Sequence, residues 1–239
     1  VDFMKRNLLF NLLLIMSSLA VFDAAGQTYC TTGLYTTGCT IGDNLNDVVI
    51  GNYSHLSTGC STSGYGDFTS DTISIPQLTP TSVGITSGYS NQWYAIWIDL
   101  NSDGDFNDTG EHIWSSNAAS GTAGTYTYGS INLDTSITTG TYRMRVRGKY
   151  AGSILLASES CTSFSYGEVH DYTVEVLSPP ACPAPFAPMT TAVSATSATI
   201  SWNGVGTAYN IEYDTTGFTQ GVGISTTSST NSITLTGLT

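Results

Sequence analysis

The run Gln92-Trp-Tyr-Ala-Ile-Trp-Ile-Asp-Leu100 constrains the fold more than any other segment. Apolar residues follow one another in it, so a strand built from it would be apolar on both faces. Such a strand must be covered on both sides, which places it in the interior of a sheet. The run therefore predicts a central strand that carries Asp99 to its carboxyl end.

Two later segments alternate between apolar and polar residues, which is the period of a strand with one covered face. One is Thr141–Lys149, where the side chains of Tyr142 and Val146 share a face, and the other is Tyr166–Val176. Gly, Ser, Thr and Asn cluster between such runs, and only 10% of the residues are charged. Because no convincing amphipathic helix follows the N-terminus, the pattern predicts an all-β chain whose first domain is a β-sandwich.

Compositional breaks divide the chain into four segments. Lys5 and Arg6 precede a short apolar run and then small residues, which is the pattern of a signal peptide over 1–26. We expect no membrane span after its cleavage, because the run is short for one. Repeated proline over 178–188 predicts an extended linker. The expected domains are therefore 27–177 and 189–239.

The second domain shows the strand pattern of an immunoglobulin-like sandwich. A short run ends in Trp202, an alternating run ends in Tyr213, and a third enters a corner at Leu235–Leu238. These features resemble a fibronectin type III domain. Such a domain needs roughly a hundred residues, so we expect this one to be incomplete and to continue in a longer chain.

The charge balance excludes one class of partner. The chain has 18 acidic and 6 basic residues, for a net charge of −12. Nucleic-acid binding needs a basic surface, so we expect none. Other domains of the same longer chain and a cell-surface glycan or protein remain as expected partners.

Five cysteines would face an oxidising compartment if the chain is exported. The four that precede the linker can pair in three ways. We expect Cys39–Cys60 as a local disulfide and Cys30–Cys161 as a link between the two ends of the first domain. Cys182 is then left over, because its partner would lie in the missing part of the second domain.

The segment after the central strand is rich in acids, with oxygen-bearing side chains at alternate positions and Gly104 where the backbone must turn. A hard cation takes six to eight oxygen ligands, and a short loop of this spacing can supply several of them. The pattern predicts a calcium site; the alternative is an acidic turn held by bonds from side chains to the backbone. The candidate ligands are Asp99, Asn101, Asp103, Asp105, Asp108 and Glu111.

The arginines of the alternating strand, Arg143, Arg145 and Arg147, are candidate ligand-binding residues for an anion. The interpretation we favour is pairing with Glu168 or Asp171 on a neighbouring strand. Those two acids could instead form a glycosidase pair. The chain has no nucleophile elbow, zinc-protease motif or phosphate-binding loop. We therefore expect a protein that is not an enzyme.

Aromatic residues could stack on sugar rings, although aromatic side chains in β proteins usually fill the core. Trp93 and Trp97 are expected to pack inside. The candidates for sugar stacking are Tyr126, Tyr128, Tyr142, Tyr150 and Trp114.

Ordered motifs carry a family resemblance: Tyr29-Cys30, Gly64–Thr69, Trp97–Glu111, Tyr142–Val146, Cys161 and Tyr166–Val174. Together they resemble the bacterial GEVED domain over about 27–177, and His170 stands where that family has its second Glu. The resemblance implies a β-sandwich with a non-catalytic role, found in large exported or surface proteins, and it names no ligand.

These observations predict a calcium-stabilised module of a secreted or cell-surface multidomain protein. Its expected function is adhesion or the presentation of neighbouring domains. The alternative function is that of a carbohydrate-binding accessory module in an exported protease or glycoside hydrolase.

Overall fold

A computed structural model describes residues 28–238, and these are almost entirely β-structure. The all-β prediction is therefore confirmed, while the expected signal peptide at 1–26 lies outside the described residues. Within 28–238, no helix is both long enough and apolar enough to cross a membrane.

The first part of the chain contains ten strands and two short 3-10 turns, Thr62–Gly64 and Ala157–Glu159. The strands are β1 (Tyr35–Gly38), β2 (Asp47–Ile50), β3 (Tyr53–His55), β4 (Tyr65–Pro76), β5 (Thr81–Thr86), β6 (Gln92–Asp99), β7 (His112–Ser115), β8 (Thr127–Ile131), β9 (Gly140–Tyr150) and β10 (Phe164–Leu177).

These strands form two sheets. The large sheet has the order β1-β10-β9-β6-β7, and β4 also pairs with β10. The small sheet has the order β3-β2-β5-β8. Apolar side chains of both sheets meet in one buried core, in which Val48 and Ile85 of the small sheet join Ile96 and Val146 of the large one. Two sheets that share a core in this way form a β-sandwich.

Strand β6 occupies the interior position expected of it, because it pairs antiparallel with β9 on one side and β7 on the other. Tyr94, Ile96 and Ile98 face the sandwich core. Ala95 and Trp97 face the other way, into a second buried cluster. Burying an isoleucine or leucine side chain stabilises the fold by about 1.5–3 kcal/mol. Because β6 buries apolar side chains on both faces, it contributes to the stability of both clusters.

The second part of the chain has sheets of its own. Its strands are β11 (Phe186–Val193), β12 (Ser197–Asn203), β13 (Tyr209–Tyr213), β14 (Ile224–Ser228) and β15 (Ser232–Thr236). The order β11-β12-β15 forms one sheet, and β13 pairs with β14 in another. Strand β11 begins inside the segment predicted as linker, since it pairs with β12 from Phe186 onward. The linker is therefore shorter than expected and ends before residue 186.

Candidate functional site

The acidic loop connects β6 to β7 at one end of the large sheet. Asp99 is the last residue of β6 and is fully buried. Glu111 comes just before β7 and is also buried, while the Ile98 amide donates a hydrogen bond to its backbone carbonyl (2.9 Å). Both ends of the loop are thus fixed by the sheet, and both carry a carboxylate at its base.

Alternate side chains of the loop accept hydrogen bonds from the backbone two residues later. Asn101 Oδ1 accepts from the Asp103 amide (3.1 Å), and Asp103 Oδ1 accepts from the Asp105 amide (3.2 Å). Gly104 has a φ of +95°, a conformation that favours glycine. Short polar side chains that bond to their own backbone in this way hold the loop in a tight curve.

Three of the six predicted ligands come together at the tip of the loop. Carboxylate oxygens of Asp103, Asp105 and Asp108 lie within 4.8 Å of one another. The Asn101 amide nitrogen joins them, donating to Asp108 Oδ2 (2.6 Å) and to Asp103 Oδ2 (3.1 Å). Asp99 and Glu111 are not members of this three-carboxylate group and lie at the base of the loop.

The base of the loop is linked to its tip by hydrogen bonds. Asp99 Oδ2 accepts from the Gly104 amide (3.1 Å) and from the Tyr29 hydroxyl. Glu111 accepts from the Leu100 amide (2.9 Å) and from the Asp108 amide (3.2 Å). The base is therefore bonded directly to the backbone of Asp108 and to that of Gly104, which lies between Asp103 and Asp105.

The buried carboxylates at the base lack a positive partner. Asp99 Oδ1 is buried and has no hydrogen-bond partner. Burial raises the pKa of the Glu111 carboxyl, and the charges of Asp99 and Asp108 add to the increase, although two backbone amides oppose it. No salt bridge between described residues reaches the acids of this loop. Within residues 28–238, the hydrogen bonds to the carboxylates of Asp99 and Glu111 come from backbone amides and the Tyr29 hydroxyl.

Phe106 anchors the loop to the outer face of the large sheet. Its ring is buried in the same cluster as Trp97 and Leu155. The Arg145 guanidinium lies over that ring, 4.8 Å from its centroid, and Tyr29 packs beside it at 5.2 Å. Sequence reasoning missed this role, because one phenylalanine between acids gives no periodic signal.

The arginine face of β9 is buried rather than exposed. Arg145 and Arg147 are fully buried, and 20% of the Arg143 side chain is exposed. Asp171 accepts from Arg145 at 2.8 and 2.9 Å and from Arg143 at 3.0 Å. The pairing with Asp171 that we favoured is therefore what the structure shows.

The anion-binding hypothesis is wrong for Arg145 and Arg147, because their hydrogen-bonding groups are used inside the protein. Arg147 donates to the carbonyls of Glu159, Thr162 and Leu34 and to the Tyr35 hydroxyl. Residues 30–34 and the segment before β10 thus cover this face. Neither segment has an apolar pattern that would have revealed its covering role.

Glu168 does not pair with arginine, although it was one of the two expected partners. It accepts from the Leu45 amide (2.7 Å) and the Ser61 amide (2.6 Å). His170 Nε2 lies 3.3 Å from Glu168 Oε1. Asp171 is three residues after Glu168 and points to the opposite face of β10. The two acids therefore cannot flank one glycosidic bond as a catalytic pair.

Both expected disulfides are present in the structure. Cys30 is bonded to Cys161 and Cys39 to Cys60, with Cα–Cα distances of 5.9 and 5.4 Å. Cys182 is exposed and, within the described residues, free.

The aromatic candidates divide into two groups. Trp114 and Tyr142 are half-buried and pack against the sandwich core, as Trp97 does fully in its own cluster. Tyr126 and Tyr128 instead form a stacked pair on the small sheet. Tyr150 is 39% exposed.

The fold and the site define an all-β sandwich module with an acidic hairpin loop. Residues 93–175 match the family model of the GEVED domain. The match contains the acidic loop, the arginine strand and most of β10, so the resemblance seen in the motifs is confirmed for this part of the chain. Domains of this family are generally non-catalytic modules.

Other comparisons add little. No curated protein matches the chain. Among solved structures, the FN1–FN3 domains of chicken CNTN1 are similar at 11% sequence identity, with a TM-score of 0.23. The similarity covers 82% of this chain and 56% of that one, so the chain spans about half the length of its neighbour. A TM-score this low does not define a shared fold.

Proposed function

We propose that this chain is a calcium-stabilised, non-catalytic module of a secreted or cell-surface multidomain protein. Its work is adhesion or the presentation of neighbouring domains, and a fibronectin-like second unit follows it. The match of residues 93–175 to the GEVED domain supports the modular, non-catalytic part of this proposal.

One observation carries the calcium part of the proposal. Asp99 is fully buried, one of its oxygens has no partner, and it lies at the base of the loop whose tip carries three converging carboxylates. A buried carboxylate oxygen without a partner is unfavourable unless a hydrogen-bond donor or a counter-charge satisfies it. A divalent cation is a counter-charge of the right size and prefers oxygen ligands.

The residues present fit such an ion. Asp103, Asp105 and Asp108 would supply carboxylates, and the Asn101 side chain could turn its oxygen toward the same point. Asp99 and Glu111 are the further candidate oxygen donors, at the base of the loop. The ion would neutralise these acids and hold the β6–β7 hairpin in one conformation; no bond-making step is needed.

Export is supported by the cysteines. Two disulfides in a chain of this kind favour an oxidising, extracellular environment. The charged and apolar pattern over 1–26 is consistent with a signal peptide, and its cleavage can be checked by sequencing the N-terminus of the exported protein.

Thermal unfolding of the whole chain in calcium and in EDTA tests the proposal. Extracellular modules bind calcium with a Kd of about 10⁻⁴–10⁻³ M, so the titration should reach about 10 mM. Calcium at about 10 to 100 times Kd stabilises a fold by about 1.4 to 2.7 kcal/mol. We therefore expect a Tm several degrees higher in calcium than in EDTA, and Asp103→Asn should reduce the difference.

Asp134→Asn is the matched control. Asp134 is exposed and also accepts a hydrogen bond from the backbone two residues later, at the Ser136 amide (2.8 Å), but it is no member of the acidic loop. The Asp134→Asn substitution should leave the calcium-dependent Tm shift unchanged. Equal melting temperatures of the unsubstituted chain in calcium and in EDTA would remove the ion from the proposal.

The carbohydrate-binding alternative keeps one observation in its favour. The stacked pair of Tyr126 and Tyr128 is a surface aromatic feature that the packing of the core does not require.

A further inference from the structure

The outward face of the small sheet forms a shallow groove. Strand alternation points Ser82 and Gly84 of β5 outward, and their cross-strand partners Ser130 and Tyr128 of β8 point the same way. The groove has a volume of about 210 Å³ and is lined by Val49, Ser82, Val83, Gly84, Tyr126 and Tyr128. It lies on a different sheet from the acidic loop.

Two tyrosine rings form one wall of this groove. The rings of Tyr126 and Tyr128 are 5.6 Å apart and inclined by only 20°. Tyr128 is 76% exposed, the highest value among the exposed tyrosines. An aromatic ring left so open on a well-packed sandwich contributes little to the core, and so its side chain is available for a ligand.

Tyr126 is held by a hydrogen bond, and Tyr128 stacks on its ring. The Tyr126 hydroxyl donates to Asp47 Oδ2 (3.3 Å), and Asp47 Oδ1 accepts from the Ser57 amide (2.8 Å). A Cβ at Gly84 would lie 3.1 Å from the Tyr126 ring and 3.4 Å from the Tyr128 ring. Glycine at this position therefore lets both rings lie close to the sheet, and a preorganised surface loses less entropy on binding.

The opposite side of β8 is equally close-packed. A Cβ at Gly129 would lie 2.3 Å from the Trp114 indole nitrogen, so that indole packs directly on the strand backbone. The strand that carries Tyr128 is thus supported from the core side. A rigid strand is a better platform than a loop for a stacking residue.

The chemistry of the groove matches a sugar ring. A pyranose has an apolar face of C–H groups, which packs on the electron-rich face of an aromatic ring, and a rim of hydroxyls. Ser82, Ser130 and Asp47 place hydroxyl and carboxylate groups beside the tyrosines. The only charged group among these residues is an acid, and the chain carries a net charge of −12, which disfavours anionic ligands.

We propose that the outward face of the small sheet binds a neutral polysaccharide, with Tyr128 as the stacking residue. Tyr126 extends the stacking surface and Asp47 positions it. The groove is smaller than the usual 300–1,000 Å³ of a small-molecule pocket, which suits one or two units of a chain that runs along the surface. This inference rests on the carbohydrate-binding alternative given under the proposed function and specifies its ligand class.

Affinity electrophoresis of the whole chain in gels containing a soluble polysaccharide tests the inference. The neutral probes are xylan, mannan, hydroxyethylcellulose and mixed-linkage β-glucan, and polygalacturonate is the anionic probe. We expect at least one neutral probe to retard the chain. Tyr128→Ala should weaken that binding by about tenfold or more, as truncation of an aromatic contact residue does, whereas Tyr128→Phe should retain most of it.

Tyr89→Ala is the control, because Tyr89 is an exposed tyrosine outside this groove. It should bind like the unsubstituted chain. Retardation by polygalacturonate alone, retardation by no neutral probe, or binding that survives Tyr128→Ala would each overturn the inference. Self-association lost in Tyr128→Ala, measured by sedimentation, would instead assign the face to a second copy and would also overturn it.

The same variants keep this inference separate from the calcium proposal. Tyr128→Ala should retain the calcium-dependent Tm shift, because the acidic loop belongs to the other sheet. If the unsubstituted chain shows the calcium shift but binds no neutral probe, the sugar inference fails and the calcium proposal stands. If it binds a neutral probe but shows no calcium shift, the calcium proposal fails and the sugar inference stands.

Discussion

The basic side chains of β9 make their contacts inside the module. Asp171 and Arg145 are fully buried and pair through two short hydrogen bonds. Removing one partner of such a pair typically costs about 3–5 kcal/mol, because the other charge stays buried without a partner. The strand alternation placed the arginines on one face correctly. It did not show that this face is covered, because the covering segments are irregular and rich in Gly, Ser and Thr.

The lowered pKa of Glu168 predicts how the free energy of unfolding changes in acid. Burial raises the pKa of this carboxyl, but His170 and the Ser61 amide outweigh burial, and the net pKa lies below its usual value. A carboxyl with a lowered pKa in the fold stabilises it above the unfolded pKa of about 4.3. That contribution is lost as pH falls through the lowered folded pKa.

We therefore expect Glu168→Gln to lower the free energy of unfolding at pH 6, with a smaller difference from the unsubstituted chain at pH 3. Urea unfolding at several pH values between 3 and 6 measures this. Glu175→Gln, on the same strand but bonded at the surface to the Ser74 hydroxyl (3.2 Å), should leave the curve parallel to that of the unsubstituted chain. A constant difference between Glu168→Gln and the unsubstituted chain would contradict the assignment.

Strands were predicted well where apolar side chains repeat, and poorly elsewhere. β6, β9 and β10 carry continuous or alternating apolar runs, and all three were found where expected. The start of β11 at Phe186 was missed, because proline suggested a linker. Proline is tolerated where a strand lacks a partner for its amide, as at the irregular pairing between Phe186 and Met189.

The covering segments are held by the longer of the two disulfides. Cys30–Cys161 links residues separated by 131 positions, and Cys39–Cys60 links residues separated by 21. Loop-closure entropy gives a contribution of about 5 kcal/mol for the first and about 3 kcal/mol for the second. The first bond also fastens the N-terminal residues over the arginine face, where Arg145 donates to the Cys30 carbonyl (2.8 Å).

Replacing Cys30 and Cys161 by serine should therefore destabilise the protein more than replacing Cys39 and Cys60. Urea unfolding of the two double variants under oxidising conditions gives both costs. The unsubstituted chain with its disulfides reduced should be less stable than either variant. A larger loss from the Cys39 and Cys60 pair would mean that local packing, rather than chain entropy, decides the contribution.

At the scale of the molecule, the two parts of the chain differ in how much core they bury. The three apolar clusters of the first part extend from Leu34 to Val176. Among the described residues from 186 onward, the buried hydrophobic side chains are Tyr209 and Leu235. Stability on folding increases with buried apolar area, so the second part should be the weaker unit.

Differential scanning calorimetry of the whole chain should then show two transitions, with the second part unfolding at the lower temperature. Calcium should raise only the upper transition, since the acidic loop lies between β6 and β7 of the first part. Asp103→Asn in the same experiment should lower the calcium shift of the upper transition and leave the lower one in place. A single transition, or equal shifts of both, would mean that the two parts unfold as one cooperative body and that the division near residues 178–185 has no thermodynamic meaning.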